Sequence, residues 1–232
     1  METGTGDCVT SRKSMKQIIT GLTIIGLSIL SPLKAYLPGG GRVVEQSEIL
    51  ARKSLNLTTR TTDRWVSQIM ADNILLTLHY LKGDMDAKEI DWDQLREPFS
   101  VSFTLDPGEV FAFHRDFLPE FRGKVVKTTG ATFHSSEGFK SDGYLFGDGV
   151  CHLASLMNWV ASAAGLEVTA KVNHDFLLVP GIPREFGTAI YYLEGNTSSN
   201  QLQNLYIKNP FDFPVEFIFL VDNQRVELVI LK

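Results

Sequence analysis

Cysteine is nearly absent from this chain: among 232 residues only Cys8 and Cys151 carry a thiol. Neither belongs to a Cys-x-x-Cys pair, and no His-Glu-x-x-His run exists, so the common zinc and dithiol frameworks are excluded. Basic blocks are missing too. The charges sum to 22 − 27 = −5, and no nucleic-acid partner is expected. No internal repeat or low-complexity stretch is present. What remains, 44% hydrophobic and 21% charged residues, describes an ordinary globular protein long enough for one substantial core.

Long apolar runs are equally scarce. The one candidate, residues 18–33, follows Arg12, Lys13 and Lys16 and precedes Ala35 and the breaker cluster Pro38-Gly39-Gly40-Gly41. A positive start, an apolar middle and a small residue make a secretory signal or a membrane anchor, with a buried helix as the alternative. Residues 1–38 then form a cytoplasmic tail and signal or anchor segment. The protein is expected outside the cytoplasm, secreted or held in the membrane by residues 18–33. Residues 39–62 read as a linker, or as a short helix around 45–55, and residues 63–232 as the folded domain. Cys8 and Cys151 are thus kept apart and no internal disulfide is expected. Cys151 is either a reactive exported thiol or an inert buried one.

Within the domain, Asp63 caps a helix in which Trp65, Ile69, Met70, Ile74, Leu75, Leu78 and Leu81 recur at helical spacing up to Gly83. The acidic stretch 84–97 reads as irregular. Phe99, Val101, Phe103 and Leu105 alternate with polar residues. Asp106-Pro107-Gly108-Glu109 has turn chemistry, and Val110 to Phe113 resume a strand, which together predict a β-hairpin. A helix over 151–164 carries an apolar stripe and stops at Gly165; Cys151, Ser155, Asn158 and Ser162 share another face. Residues 167–174 alternate, placing His174 on one strand face with Val168, Ala170 and Val172. Further strands are expected at 189–193, 205–208, 215–221 and 225–231, with a hairpin turn at 222–224 and a polar loop at 196–204. The expected class is α+β: an antiparallel sheet packed with a central helix bearing the cysteine at its N-terminus, plus an N-terminal helix.

The chemistry concentrates at Gly147-Asp148-Gly149-Val150-Cys151-His152. A thiol at a helix N-terminus meets the positive end of the dipole, which favours the thiolate. His174 is the candidate base. Backbone N–H groups near Cys151 and His152 can stabilise an oxyanion, and Gly147 and Gly149 permit close approach of substrate. Arg184 suits a carboxylate. Gly149, His152 and Ser155 join it as substrate-binding candidates. Asp175, Asn209 and Tyr191 stay open as partners for His174, and Asp148 is expected to cap the helix. No cofactor or metal is called for. A zinc site from Cys151, His152, His174 and His134 is awkward, because adjacent helical side chains diverge by about 100°.

Several segments, in order, resemble the VanW family, named for an accessory protein of vancomycin-resistance clusters. They are Asp72-Asn73-Ile74-Leu75-Leu76, Pro107-Gly108-Glu109-Val110-Phe111-Ala112-Phe113, Gly147 to His152, Ala164-Gly165-Leu166-Glu167, Asn173-His174, Pro183-Arg184 and Lys208-Asn209-Pro210. The likeness spans about residues 65–221. Asp148, His152 and Ala154 stand where members more often have glycine, glutamine and serine. The resemblance implies an extracytoplasmic cell-wall protein and L,D-transpeptidase-like chemistry on peptidoglycan. Cys151 would attack the carbonyl of the third stem residue and expel the terminal D-alanine, and an amine of a neighbouring stem peptide would resolve the thioester.

A different class competes: a non-catalytic cell-wall or carbohydrate-binding module, or a resistance accessory module. Phe99, Phe103, Phe111, Phe113, Phe211, Phe213, Phe217 and Phe219 either line a groove in such a module or fill the core of the sheet.

Overall fold

The second half of the expected linker is a strand. In the computed structural model, which describes residues 48–143, 147–222 and 224–232, β1 (Ile49–Asn56) runs antiparallel to β8 (Arg225–Leu231). The folded domain therefore begins before residue 63. The strand is disguised in the sequence because Lys53 lies with its ammonium 4.8 Å from the Trp159 ring centroid, so a charged residue stands where alternation needs an apolar one. Cys8 and the run 18–33 lie outside the described residues.

The architecture is α+β, with two sheets. The first has the order β1-β8-β7-β2, all antiparallel, where β2 is Phe99–Leu105 and β7 is Val215–Val221. The β7–β8 hairpin turns at Asp222, as the sequence predicts. The second is β4-β3-β6-β5, formed by β3 (Val110–Ala112), β4 (Val125–Lys127), β5 (Glu167–Ala170) and β6 (Leu205–Lys208). Its β3–β4 pair is parallel and the others antiparallel.

The expected 99–113 hairpin does not form. The turn itself is present, with the Glu109 N–H donating to the Asp106 carbonyl at 3.0 Å, but it passes the chain from one sheet to the other. Buried Asn209 fastens this crossing to the return crossing between β6 and β7. Its amide donates to the carbonyls of Leu105 (2.9 Å) and Phe213 (2.8 Å), and its main chain exchanges bonds with Gly108 and Glu109.

Helix α1 (Arg64–Lys82) starts at Asp63, whose carboxylate accepts from the N–H groups of Trp65 and Val66, and ends at Gly83. A four-residue helix, α2 (Trp92–Leu95), interrupts the acidic stretch. Helix α3 (Val150–Ala163) packs against β1 and β8 of one sheet and β5 and β6 of the other. The expected polar loop 196–204 holds a further helix, α4 (Thr197–Leu202), capped by Asn196. The strand expected at 189–193 is absent: the segment has no regular secondary structure and joins no ladder. Phe103 stacks between Phe111 (5.1 Å) and Phe217 (4.6 Å), and Phe113 and Phe219 are fully buried nearby, so these rings fill the core rather than a groove. No helix among the described residues is long and apolar enough to cross a membrane.

Candidate functional site

The glycine turn before α3 is shaped by packing. Gly149 is the residue before the helix, with φ of 96°, and a Cβ there would lie 2.6 Å from the Met70 carbonyl oxygen of α1. A Cβ on Gly147 would lie 2.9 Å from that of Phe133. The space over both glycines is thus taken by protein, and they serve close approach of chain to chain rather than of substrate. Asn73, fully buried on α1, holds the incoming loop: its amide donates to the carbonyls of Lys140 (3.0 Å) and Asp148 (2.9 Å) and accepts the Lys140 N–H (2.8 Å). Beside it, burial pushes the Asp72 carboxyl up, but bonds from Arg96, Lys140 and Gln68 outweigh this and hold it below the usual range. This pair enters the sequence reading only as part of a resemblance and without a role; an adjacent Asp and Asn inside an apolar helix were the available signal.

Asp148 does not cap α3. Its Oδ2 accepts from the Asp142 N–H at 3.0 Å, no side chain caps the helix, and burial raises the Asp148 pKa. Cys151 occupies the first turn of α3, as expected, but its environment opposes a thiolate. Sγ donates to the Ile190 carbonyl at 3.5 Å and accepts the Ile190 N–H at 3.3 Å. Burial pushes the thiol pKa up to about 11; the Ile190 N–H pulls it down, and the Asp148 charge adds to the rise. Desolvation therefore overrides the dipole effect on which the sequence expectation rested.

The rest of that helix face continues the pattern. Ser155 Oγ donates to the Cys151 carbonyl and accepts the Thr188 N–H at 2.9 Å, and the Asn158 amide donates to Phe186 and Thr188. Ser155 is fully buried, inside this contact. Cys151, Ser155 and Asn158 together satisfy main-chain and side-chain groups of segment 186–190, which belongs to no strand.

His174 sits four residues past the end of β5, in a loop rather than on the strand. Its Nδ1 donates to the Leu177 carbonyl at 2.7 Å, and no hydrogen bond joins it to Cys151. The three side chains left open as its partners are engaged elsewhere or turned outward: Asp175 pairs with Arg184, Asn209 clamps the sheet crossings, and Tyr191 is exposed. Arg184 is itself exposed, with Nε 3.4 Å from Asp175. What His174 does meet is His152, whose ring centroid is 6.1 Å away and nearly perpendicular. His152 is buried; that burial, with the charges of Arg60 and His174, lowers its pKa to about 3. Its Nδ1 has no partner. Neither do Nε and Nη1 of Arg60, a guanidinium 3% exposed that stands in the threonine-rich lead into α1.

Compared with models of protein families, with curated proteins and with solved structures, the chain matches none. Among the described residues no cluster of three or more His, Cys, Asp or Glu side chains is arranged to hold a metal ion. His134 packs edge-on against Tyr192 at 6.0 Å.

Proposed function

We propose that this chain is a VanW-like cell-wall-binding module that works without thiol chemistry at Cys151. The observation that carries this reading is the pair of hydrogen bonds between Sγ and the Ile190 main chain, in a setting that raises the thiol pKa to about 11. A raised pKa keeps such a sulfur in the thiol form at neutral pH. The binding surface is a recess of about 670 Å³ bounded by Leu57, Thr58, Arg64, Trp65, Gln68 and Arg96. Trp65 is 61% exposed there and offers a flat apolar face to a sugar ring, with Arg64 and Thr58 beside it for polar groups. The wall setting rests on the resemblance and on the apolar run 18–33, which together put the domain outside the cytoplasm, secreted or anchored, with peptidoglycan as its partner.

A second reading keeps the acyl transfer. Because Nδ1 of His174 donates to Leu177, the neutral ring carries its lone pair on Nε2, the tautomer a base requires. One experiment separates the two. Full-length protein with Cys8→Ser is incubated with isolated peptidoglycan sacculi and, separately, with a tetrapeptide-stem muropeptide, beside Cys151→Ala and Trp65→Ala. The binding module predicts sacculus binding that survives Cys151→Ala, falls about tenfold in Trp65→Ala, and yields no thioester in intact mass spectra. A thioester or cross-linked product that requires Cys151 overturns it in favour of transpeptidation.

A further inference from the structure

Two of the buried polar groups left without a partner among the described residues are Arg60, four residues before α1, and His152, in the first turn of α3, and these two helices pack together. Gly149 at the head of α3 packs on the Met70 backbone of α1. One turn earlier on α1, Ser67 accepts the N–H of Thr61, the residue after Arg60, at 2.9 Å. His152 lies three residues past Gly149, and the Arg60 charge reaches it. Both side chains are more than nine-tenths buried, and His174, 7% exposed, closes the group from the loop after β5.

Arg60 makes no hydrogen bond and no ion pair with any described residue, and its pKa is lowered to about 10 by burial alone. No carboxylate acts on His152 either; the charges that reach it are those of Arg60 and His174. A buried guanidinium without a counter-ion is among the most expensive arrangements a fold can hold. Five rigid N–H donors match the geometry of a planar or tetrahedral oxyanion, and the first turn of α3 adds the positive end of its dipole.

We propose that Arg60 and His152, walled by His174 at the head of α3, form a receptor for a small oxyanion, a carboxylate or a phosphate. The guanidinium donates through Nε and Nη1, and neutral His152 donates through Nδ1. On a wall polymer this group is either the free carboxylate of a peptide stem or the phosphate of an anionic chain. The receptor is distinct from the Trp65 recess, whose walls include neither residue.

The test is the melting temperature of the full chain, titrated with inorganic phosphate or acetate against chloride at matched ionic strength. The receptor predicts a saturable rise of about 3–5 °C at tenfold excess over Kd. Arg60→Met is expected to abolish the rise and, by removing an unpaired buried charge, to melt at or above the wild-type temperature without anion. His152→Gln is expected to keep the fold and weaken the anion about tenfold. A response to phosphate alone assigns the phosphate source, and one to acetate alone the carboxylate source. A wild type that answers neither anion beyond chloride overturns the proposal, as does an Arg60→Met protein that melts lower and still responds. Trp65→Ala losing sacculus binding with the anion response intact separates this site from the recess.

Discussion

Two sides of the first turns of α3 treat their polar groups in opposite ways. Towards segment 186–190, Cys151, Ser155 and Asn158 each bond to main chain or side chain of that segment. Towards the α1 crossing, His152 and Arg60 are as deeply buried but have nitrogens with no protein partner. Native folds pair nearly all buried polar groups. The partnered side therefore behaves as architecture, and the unpartnered side is where a ligand has something to gain. A rare, chemically conspicuous residue has been used to complete a backbone, and an inconspicuous arginine carries the exposed obligation.

The largest effect expected from this comparison belongs to the turn that joins both sides. Gly149→Ala puts a Cβ within 2.6 Å of a backbone oxygen that cannot move away, at φ of 96°. Strain and overpacking together are expected to cost about 4 kcal/mol. Urea denaturation followed by circular dichroism reads this directly. An unchanged midpoint would mean that α1 and α3 are free to separate, and both sides of the comparison would lose their common frame.

A second, somewhat smaller effect compares two buried histidines. His114 is satisfied: Nε2 donates to the Gln203 carbonyl at 3.1 Å and Nδ1 accepts the Asp116 N–H at 3.3 Å. Burial lowers its pKa to about 4, and that of His152 to about 3. Both are depressed below the unfolded value near 6.5, so the unfolded chain binds more protons below that pH. Stability is full above about pH 6.5 and falls as pH drops towards 4, by about 3 kcal/mol for His114 alone. Denaturant melts between pH 7 and 4 should show this slope. His152→Gln should remove its share and leave that of His114. A flat profile would mean that water reaches both rings.

These contrasts explain what was legible in the chain. Helix α1 was, because Asp63 and Gly83 sit at its ends and its apolar spacing is local. So were β2, β7 and β8. The strand β1 was hidden by Lys53, whose apolar partner, Trp159, lies far along the chain. The 106–109 turn was legible as a turn, yet the choice of β7 and β6 as partners depends on Asn209 and on burial that no local window contains. At the site, the position of Cys151 in the first turn of α3 could be read. The direction of its pKa could not, since the dipole is a local signal whereas Ile190 and the desolvating core arrive from elsewhere. Arg60, between threonines, read as polar linker; its burial arises from tertiary packing that no local window contains.

Arg184 supplies the smallest effect and a control for the whole comparison. Its side chain is 66% exposed and that of its partner Asp175 63%, at 3.4 Å. An exposed pair of this kind adds about 0.5 kcal/mol or less. Arg184→Ala should therefore leave the denaturation midpoint almost unmoved, unlike any change at the turn. It should also leave the phosphate or acetate response intact, because that response belongs to Arg60 and His152. A clear loss of stability would show that the ion pair fastens the loop carrying His174, whose Nδ1 reaches only Leu177 in the same loop. A lost anion response with stability retained would move the anion to the surface arginine. The unpartnered nitrogens of Arg60 would then have to be satisfied by water.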